Sequence, residues 1–437
     1  MTQQSPIDTQ QRVPARQGWL ALSPVVVFLL LYVAVSVILN DFYKMPIAVA
    51  LVVASMWAVA IYRGRPLTER IETFSRAAGH FNILYMIWVF VLAGAFATLA
   101  KEIGAIDATV NLTLRFFPPE FVIPTLFFAA CFISLSVGTS VGTVVALTPL
   151  AVEIAQMVDG NTAFYVAVVL GGAFFGDNLS FISDTTIAAT RSQGCNMADK
   201  FKANLWIALP AAVITLAAYI VMGQDTPAIA LAQESDYLLI LPYIVVLATA
   251  IAGINVTIVL SLGILTALVM GLINGFTLID MASFAGTGID GMGDLIIITL
   301  LAAGMLGLIK AAGGIQFLLQ GLTSRISGRR GAQAILALLV SIVNLCTANN
   351  TVAIITVGGI SRDIAERYGI DPRKSASLLD SASCVVQCLI PYGAQTLLAT
   401  SLAGISPAAP FPYLFYPWAL AAMIALSIIF LFPRRLN

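Results

Sequence analysis

Gly172-Ala173-Phe174-Phe175-Gly176-Asp177-Asn178-Leu179-Ser180-Phe181-Ile182-Ser183-Asp184-Thr185-Thr186 lies inside an apolar run that extends over residues 163–191. A run of that length can cross a bilayer, which takes about 20 mostly apolar residues. Its centre does not suit an ordinary span. A charged side chain at bilayer depth costs at least about 2.5–3.5 kcal/mol on insertion scales. Two acids so close together, Asp177 and Asp184, are too costly to be decoration. Gly171, Gly172 and Gly176 let the backbone leave the helix. The stretch therefore predicts a broken helix, interrupted at Gly176–Ser180. Unwound carbonyls would meet the side chains of Asp177, Asn178, Ser180, Ser183, Asp184 and Thr185. Such hard oxygens suit sodium, with Asp177 and Asp184 as its charged ligands, better than a transition metal. Like charges this close also favour one of them holding a proton. The same group could thus hold either ion. Each acid taken alone could instead cap the half-helix that follows.

The rest of the chain agrees with a membrane setting. Of 437 residues, 59% are hydrophobic and 10% charged, with 22 basic and 22 acidic side chains. Soluble domains carry about 25% charge. That scarcity excludes a water-exposed fold and a disordered chain, and the zero net charge excludes a nucleic-acid partner. Membrane lipid is the expected surrounding. Clear spans are 22–40, 45–62, 82–100, 203–222, 237–254, 256–273, 293–312 and 413–432. Residues 163–191 and 374–405 make broken spans, the latter interrupted at Pro391-Tyr392-Gly393. Stretches 121–158 and 332–367 have small polar centres and arms read as too short to cross, so they predict re-entrant hairpins. With ten spans and two hairpins, eighteen of the 22 basic residues, Lys200 and Lys374 among them, fall on the cytoplasmic side. Both termini are then cytoplasmic and the protein sits in the cytoplasmic (inner) membrane. Cys384 and Cys388 share a helix face but read as packing, and no disulfide framework is implied. There is no Walker phosphate loop, paired His and Ser, or His cluster, so neither ATP use nor enzymatic chemistry is expected, and no cofactor.

The sequence also repeats at an offset of about 210. Ser183-Asp184-Thr185-Thr186-Ile187-Ala188-Ala189-Thr190 aligns with Gly393-Ala394-Gln395-Thr396-Leu397-Leu398-Ala399-Thr400, and Leu112-Thr113-Leu114-Arg115 with Leu322-Thr323-Ser324-Arg325. By the charge assignment, span 82–100 runs outward and 293–312 inward. The fold class is thus an all-α polytopic membrane protein with two inverted-topology repeats and broken helices, a plan typical of secondary transporters. Its parts are a tail (1–21), a two-helix addition (22–78), repeat one (79–223), linking helices (224–292) and repeat two (293–437). The second break has lost its acids: Gln387 stands where Asp177 does, and Ala394 where Asp184 does. One main cation site is expected, in the first half. The second half offers Asn349, Asn350, Thr351, Gln387, Gln395 and Thr396 as a substrate or second site. Asp380 either joins that site, as a further titrating or substrate-binding group, or is an ion-pair partner of Lys374 or Arg373. Gly138, Thr139 and Ser140 form the first hairpin tip, where small side chains free backbone groups for a ligand.

The run Gly172–Thr186 resembles the signature G-A-x-x-G-D-x-x-S-P-x-S-D-T-T of the NhaC-type sodium/proton antiporter family. Thr347-Ala348-Asn349-Asn350-Thr351 fits it too, and the resemblance covers roughly residues 80–430. Phe181 departs from it, since the family usually has proline there. The resemblance implies inverted repeats, re-entrant hairpins and elevator-like movement. It also implies exchange of Na+ for H+, which act as transported ions. Some members of the family instead exchange small carboxylates, such as malate for sodium-linked lactate. A sodium/proton antiporter is therefore expected at Asp177 and Asp184. The alternative is a sodium- or proton-coupled carrier of a small organic solute, such as an amino acid or carboxylate. A homodimer stays open.

Overall fold

The computed structural model describes residues 13–38, 46–106, 108–109, 119–180, 183–223, 237–252, 254–323 and 326–433. Phe181, the aligned Leu112–Arg115 and Ser324-Arg325 segments and the outermost tail residues lie outside them. Every regular element among the described residues is a helix. Eight segments are long and apolar enough to cross a membrane, from Ile83–Glu102 to Pro372–Ala403. Shorter apolar helices, such as Ile47–Ile61 and Phe415–Ile429, match other expected spans.

The chain opens with α1 (Ala15–Ile38), α2 (Ile47–Ile61), α3 (Leu67–Ala78) and α4 (Phe81–Glu102). Then come α5 (Pro119–Val137), α6 (Ser140–Met157), α7 (Thr162–Leu179), α8 (Asp184–Gln193) and α9 (Met197–Gly223). Helices α10 (Leu241–Ile251), α11 (Val256–Ile273) and α12 (Leu278–Asp290) lead to α13 (Gly293–Ala311). The remainder is α14 (Gly314–Thr323), α15 (Gly328–Thr347), α16 (Asn350–Arg367), α17 (Pro372–Leu389), α18 (Ala394–Ala403) and α19 (Phe415–Ile429).

Two runs of helices match in length and spacing. Helices α6, α7 and α8 have 18, 18 and 10 residues, and so do α16, α17 and α18. Their starts, at Ser140, Thr162 and Asp184 against Asn350, Pro372 and Ala394, differ by 210 in each case. The joints match as well. Gly138 (φ +73°) and Ala348 (φ +49°) take the left-handed turn at the two hairpin tips. Side chains at Asn161 and Asp371 cap α7 and α17 by accepting from the amide two residues on. Ser134 Oγ donates to Ala173 O at 2.5 Å, and Asn344 Nδ2 donates to Ser383 O at 2.8 Å, again 210 apart. Different side chains thus make the same tie between first arm and broken helix.

Several expectations change. The hairpin arms have 18–20 residues, or about 27–30 Å at 1.5 Å per residue, so they are not too short to cross. Each tip reaches the level of the break, and α8 and α18 carry on for ten residues beyond it. The first break also comes later than expected. Helix α7 runs on to Leu179, so Asp177 and Asn178 belong to its last turn. Glycines 171, 172 and 176 serve close packing instead: a Cβ on Gly176 would overlap Ser134 Oγ. The linking stretch holds an unexpected helix, α12, started by a capping box between Thr277 and Asp280. Finally, Lys200 and Lys374 are not cytoplasmic surface charges. Both are buried, at 1% and 0% exposure.

Candidate functional site

The tip of the first hairpin meets the end of α7. Asp177 is 4% exposed. Its Oδ1 accepts from the Ser140 amide at 3.0 Å and its Oδ2 from Ser140 Oγ at 2.5 Å. Ser140 opens α6, so the carboxylate faces the positive end of a helix dipole. It also serves as that helix's cap. Thr139, at the N-cap, makes no side-chain capping bond. Among the described residues no lysine or arginine pairs with Asp177.

Around it the polar groups are ordered. Asn178 donates through Nδ2 to Phe174 O (2.9 Å) and Tyr416 Oη (3.1 Å), while its buried Oδ1 has no partner among the described residues. Thr185 Oγ1 lies 3.4 Å from Asp177 O and 2.9 Å from Ser183 Oγ. Ser180 and Ser183 are buried at the break. Asp184 is not part of this knot. It starts α8 with an exposed side chain, and no hydrogen bond or ion pair joins it to Asp177 among the described residues.

The second half joins the first directly. Gln395 Nε2 donates to Ser140 Oγ at 3.0 Å, and Gln387 Nε2 donates to Gln395 Oε1 and to Ala348 O, both at 3.0 Å. A continuous chain of bonds therefore runs from Asp177 to the second hairpin tip. Gln387 Oε1 and Thr396 Oγ1 are buried without a partner among the described residues. Asn349 caps its own helix, its Oδ1 accepting from Val352 N at 2.9 Å. Asn350 is buried; its Oδ1 accepts from Thr351 N at 3.1 Å and its Nδ2 reaches Cys384 Sγ.

Asp380 pairs with neither Lys374 nor Arg373. Arg373 holds Asp371 at 2.6 Å, and Lys374 donates to Ser427 Oγ and Phe432 O. Asp380 is fully buried and forms an ion pair with Lys200. Asn204 Nδ2 donates to Asp380 Oδ2 at 3.2 Å and to Asn178 O at 2.8 Å. Sequence reasoning missed Lys200, Asn204, Tyr416 and Cys384. One signal was available: Lys200 and Asn204 stand four apart on α9 and so share one face of that helix. Cys384 is more than packing, since its thiol lies 3.9 Å from Asp380 Oδ1.

A model of the Na+/H+ antiporter family matches residues 11–224 and 228–433. The chain belongs to this family. It is a secondary transporter and an integral membrane protein. Curated relatives include the Na(+)/H(+) antiporter NhaC of Alkalihalophilus pseudofirmus, 25% identical over 76% of this chain and 78% of that one. The malate-2H(+)/Na(+)-lactate antiporter of Bacillus subtilis is 22% identical over 94% of both chains. The arginine/ornithine antiporter ArcD of Halobacterium salinarum is 22% identical over 77% of this chain and 76% of its own.

Proposed function

We propose that this antiporter exchanges Na+ for H+ at Asp177. The observation that carries this reading is a buried carboxylate with hydrogen-bond donors but no basic partner among the described residues. Bare charge is costly in such a place, so the group is neutralised either by a proton or by a bound cation. Those are the two loads of a sodium/proton exchanger. Asn178 Oδ1, Ser183 and Thr185 lie along the same turn and break, and would complete the oxygen shell around sodium. Asp184, exposed at the start of α8, would draw cations toward the break from the water side.

Alternate exposure would come from movement of the two break-and-hairpin units, which are joined through Gln395 and Ser140. In this reading the matching helix runs are inverted repeats and the hairpins re-entrant. The parts divide at 79–223 and 293–437, with the two-helix addition before them and the linking helices between. The termini then face the cytoplasm and the protein lies in the cytoplasmic membrane.

The test is Asp177→Asn in sealed vesicles. Asparagine keeps an acceptor for the Ser140 amide, so the cap survives while the charge is removed. Sodium-driven proton movement should disappear from a protein that still folds; exchange at the normal rate would sink the assignment. A second reading rests on Gln387 Oε1 and Thr396 Oγ1, buried without partners among the described residues in the acid-free break. Two of the relatives carry names that include organic substrates. Here Asp177 would bind only the coupling ion, and the second break a small amino acid or carboxylate. Uptake of a labelled solute driven by an imposed sodium gradient would favour it, and cation exchange alone would reject it.

A further inference from the structure

Lys200 takes no part in the exchange just described, yet it is one of the most deeply buried side chains in the protein. An ammonium has three donors and no acceptor. All three are engaged: by Asp380 Oδ2 in an ion pair, by Asn178 O at 2.8 Å and by Thr186 Oγ1 at 2.7 Å. These oxygens come from three helices, α17, α7 and α8. They comprise a carboxylate, a backbone carbonyl and a hydroxyl, the hard donor set that holds a small cation. The set is also rigid. Asn204 braces two of its members, and its own Oδ1 accepts from Ser377 Oγ and from Ser381 Oγ. An ammonium is a compact point charge on a flexible stem, well suited to standing in for a free ion.

We infer that Lys200 is a tethered cation filling a second cation site, made by Asp380, Asn178 O and Thr186. It thereby confines exchange to one sodium ion at Asp177. The charges agree: Asp177 and Asp380 give −2, Lys200 gives +1, and the remainder of −1 accommodates one monovalent ion. The count at Asp177 rests on the proposed function; the occupancy of the Asp380 site does not. A purely structural ion pair makes a different prediction. Cutting it would leave a buried carboxylate and lower stability whatever the salt.

The experiment counts labelled sodium bound per purified full-length chain at saturation. It is paired with the unfolding temperature in sodium, in ethylammonium and in the large cation N-methylglucamine. Wild type should bind one ion, Lys200→Ala two, and Lys200→Ala with Asp380→Asn one. Ethylammonium should return Lys200→Ala to one bound sodium. It should also raise that variant's unfolding temperature relative to N-methylglucamine, an effect absent from the double variant. Two ions in the wild type, or no additional ion in Lys200→Ala, would overturn the inference. So would a Lys200→Ala protein that neither sodium nor ethylammonium recovers. In an Asp177→Asn background the expected counts are zero, and one when Lys200→Ala is added. A retained ion in Asp177→Asn alone would refute the Asp177 reading, while the gain on removing Lys200 would still decide the present one.

Discussion

The two hairpin tips solve one problem in two ways. Each opens a helix whose first amides need acceptors, and the backbone geometry is nearly identical. Thr139 sits at φ −147° and ψ 124°, and Asn349 at φ −148° and ψ 112°. In the second half the cap is local, since Asn349 accepts from Val352 N. In the first half the cap comes from another helix, as Asp177. The local cap leaves Gln387, the counterpart of Asp177, to bond Ala348 O and Gln395. The remote cap places a buried carboxyl group at a helix N-terminus. The difference teaches that one repeated scaffold can cap the same helix start in two ways, and that the way chosen decides whether an acid or an amide stands at the end of the broken helix.

The comparison breaks first at the acids. Asp177→Asn should lower sodium-driven proton flux in vesicles by at least about 100-fold, because the charge that alternates between loads is gone. Gln387→Ala should cost only several-fold, since it removes neutral hydrogen bonds worth about 1 kcal/mol each. Equal losses would make the two breaks functionally alike and remove the asymmetry. Next come the tips. Ser140 Oγ donates to a carboxylate, a bond of about 1.5–3 kcal/mol. Ser140→Ala should therefore raise the half-saturating sodium concentration by about 10–100-fold. Asn350→Ala, which loses a contact to a thiol and a neutral bond from the Thr351 amide, should change it only a few-fold.

Packing separates the halves in a third way. Gly176 crosses Ser134 so closely that a methyl group would overlap it, whereas the counterpart of Gly176 is the half-buried Val386. Gly176→Ala should cost about 1–3 kcal/mol or more through forced displacement of α5 from α7. Val386→Ala should cost less than about 1.5 kcal/mol. Unfolding temperatures in detergent would check the pair. A Gly176→Ala protein as stable as wild type would mean that the crossing is looser than the geometry describes.

Much of this plan is legible without coordinates. The scarcity of charge and the length of the apolar runs dictate spans, because a bilayer leaves few alternatives. The 210-residue offset reads the duplication from Ser183–Thr190 and Gly393–Thr400. Asp177 stands out because acids are costly at that depth. What stays hidden depends on contacts between distant segments. Lys200 looks like a cytoplasmic charge, since Asp199 and Lys202 flank it in the short polar stretch between two apolar runs. Only folding turns it inward toward Asp380. Asp184 and Asp177 look like a pair because seven residues put them close in sequence. The break then sends Asp184 to the exposed start of a new helix. Local spacing cannot report the direction in which a broken helix resumes.

The smallest expected effect tests the capping argument itself. Thr139→Asn copies the second-half tip into the first, at a backbone conformation that already accommodates asparagine in Asn349. The new amide oxygen would accept from the Gly142 amide, three residues along α6, as Asn349 accepts from Val352 on α16. Asn is among the best N-cap residues, worth about 1 kcal/mol over a non-capping side chain. The variant should therefore be slightly more stable than wild type. It should also shift the half-saturating sodium concentration by no more than a few-fold, because Ser140 still faces Asp177. Combined with Asp177→Ala, which strips the remote cap, it should restore stability without restoring transport. Recovery of sodium-driven proton movement in that double variant would show that Asp177 acts only as a cap, and the two halves would then differ in structure alone.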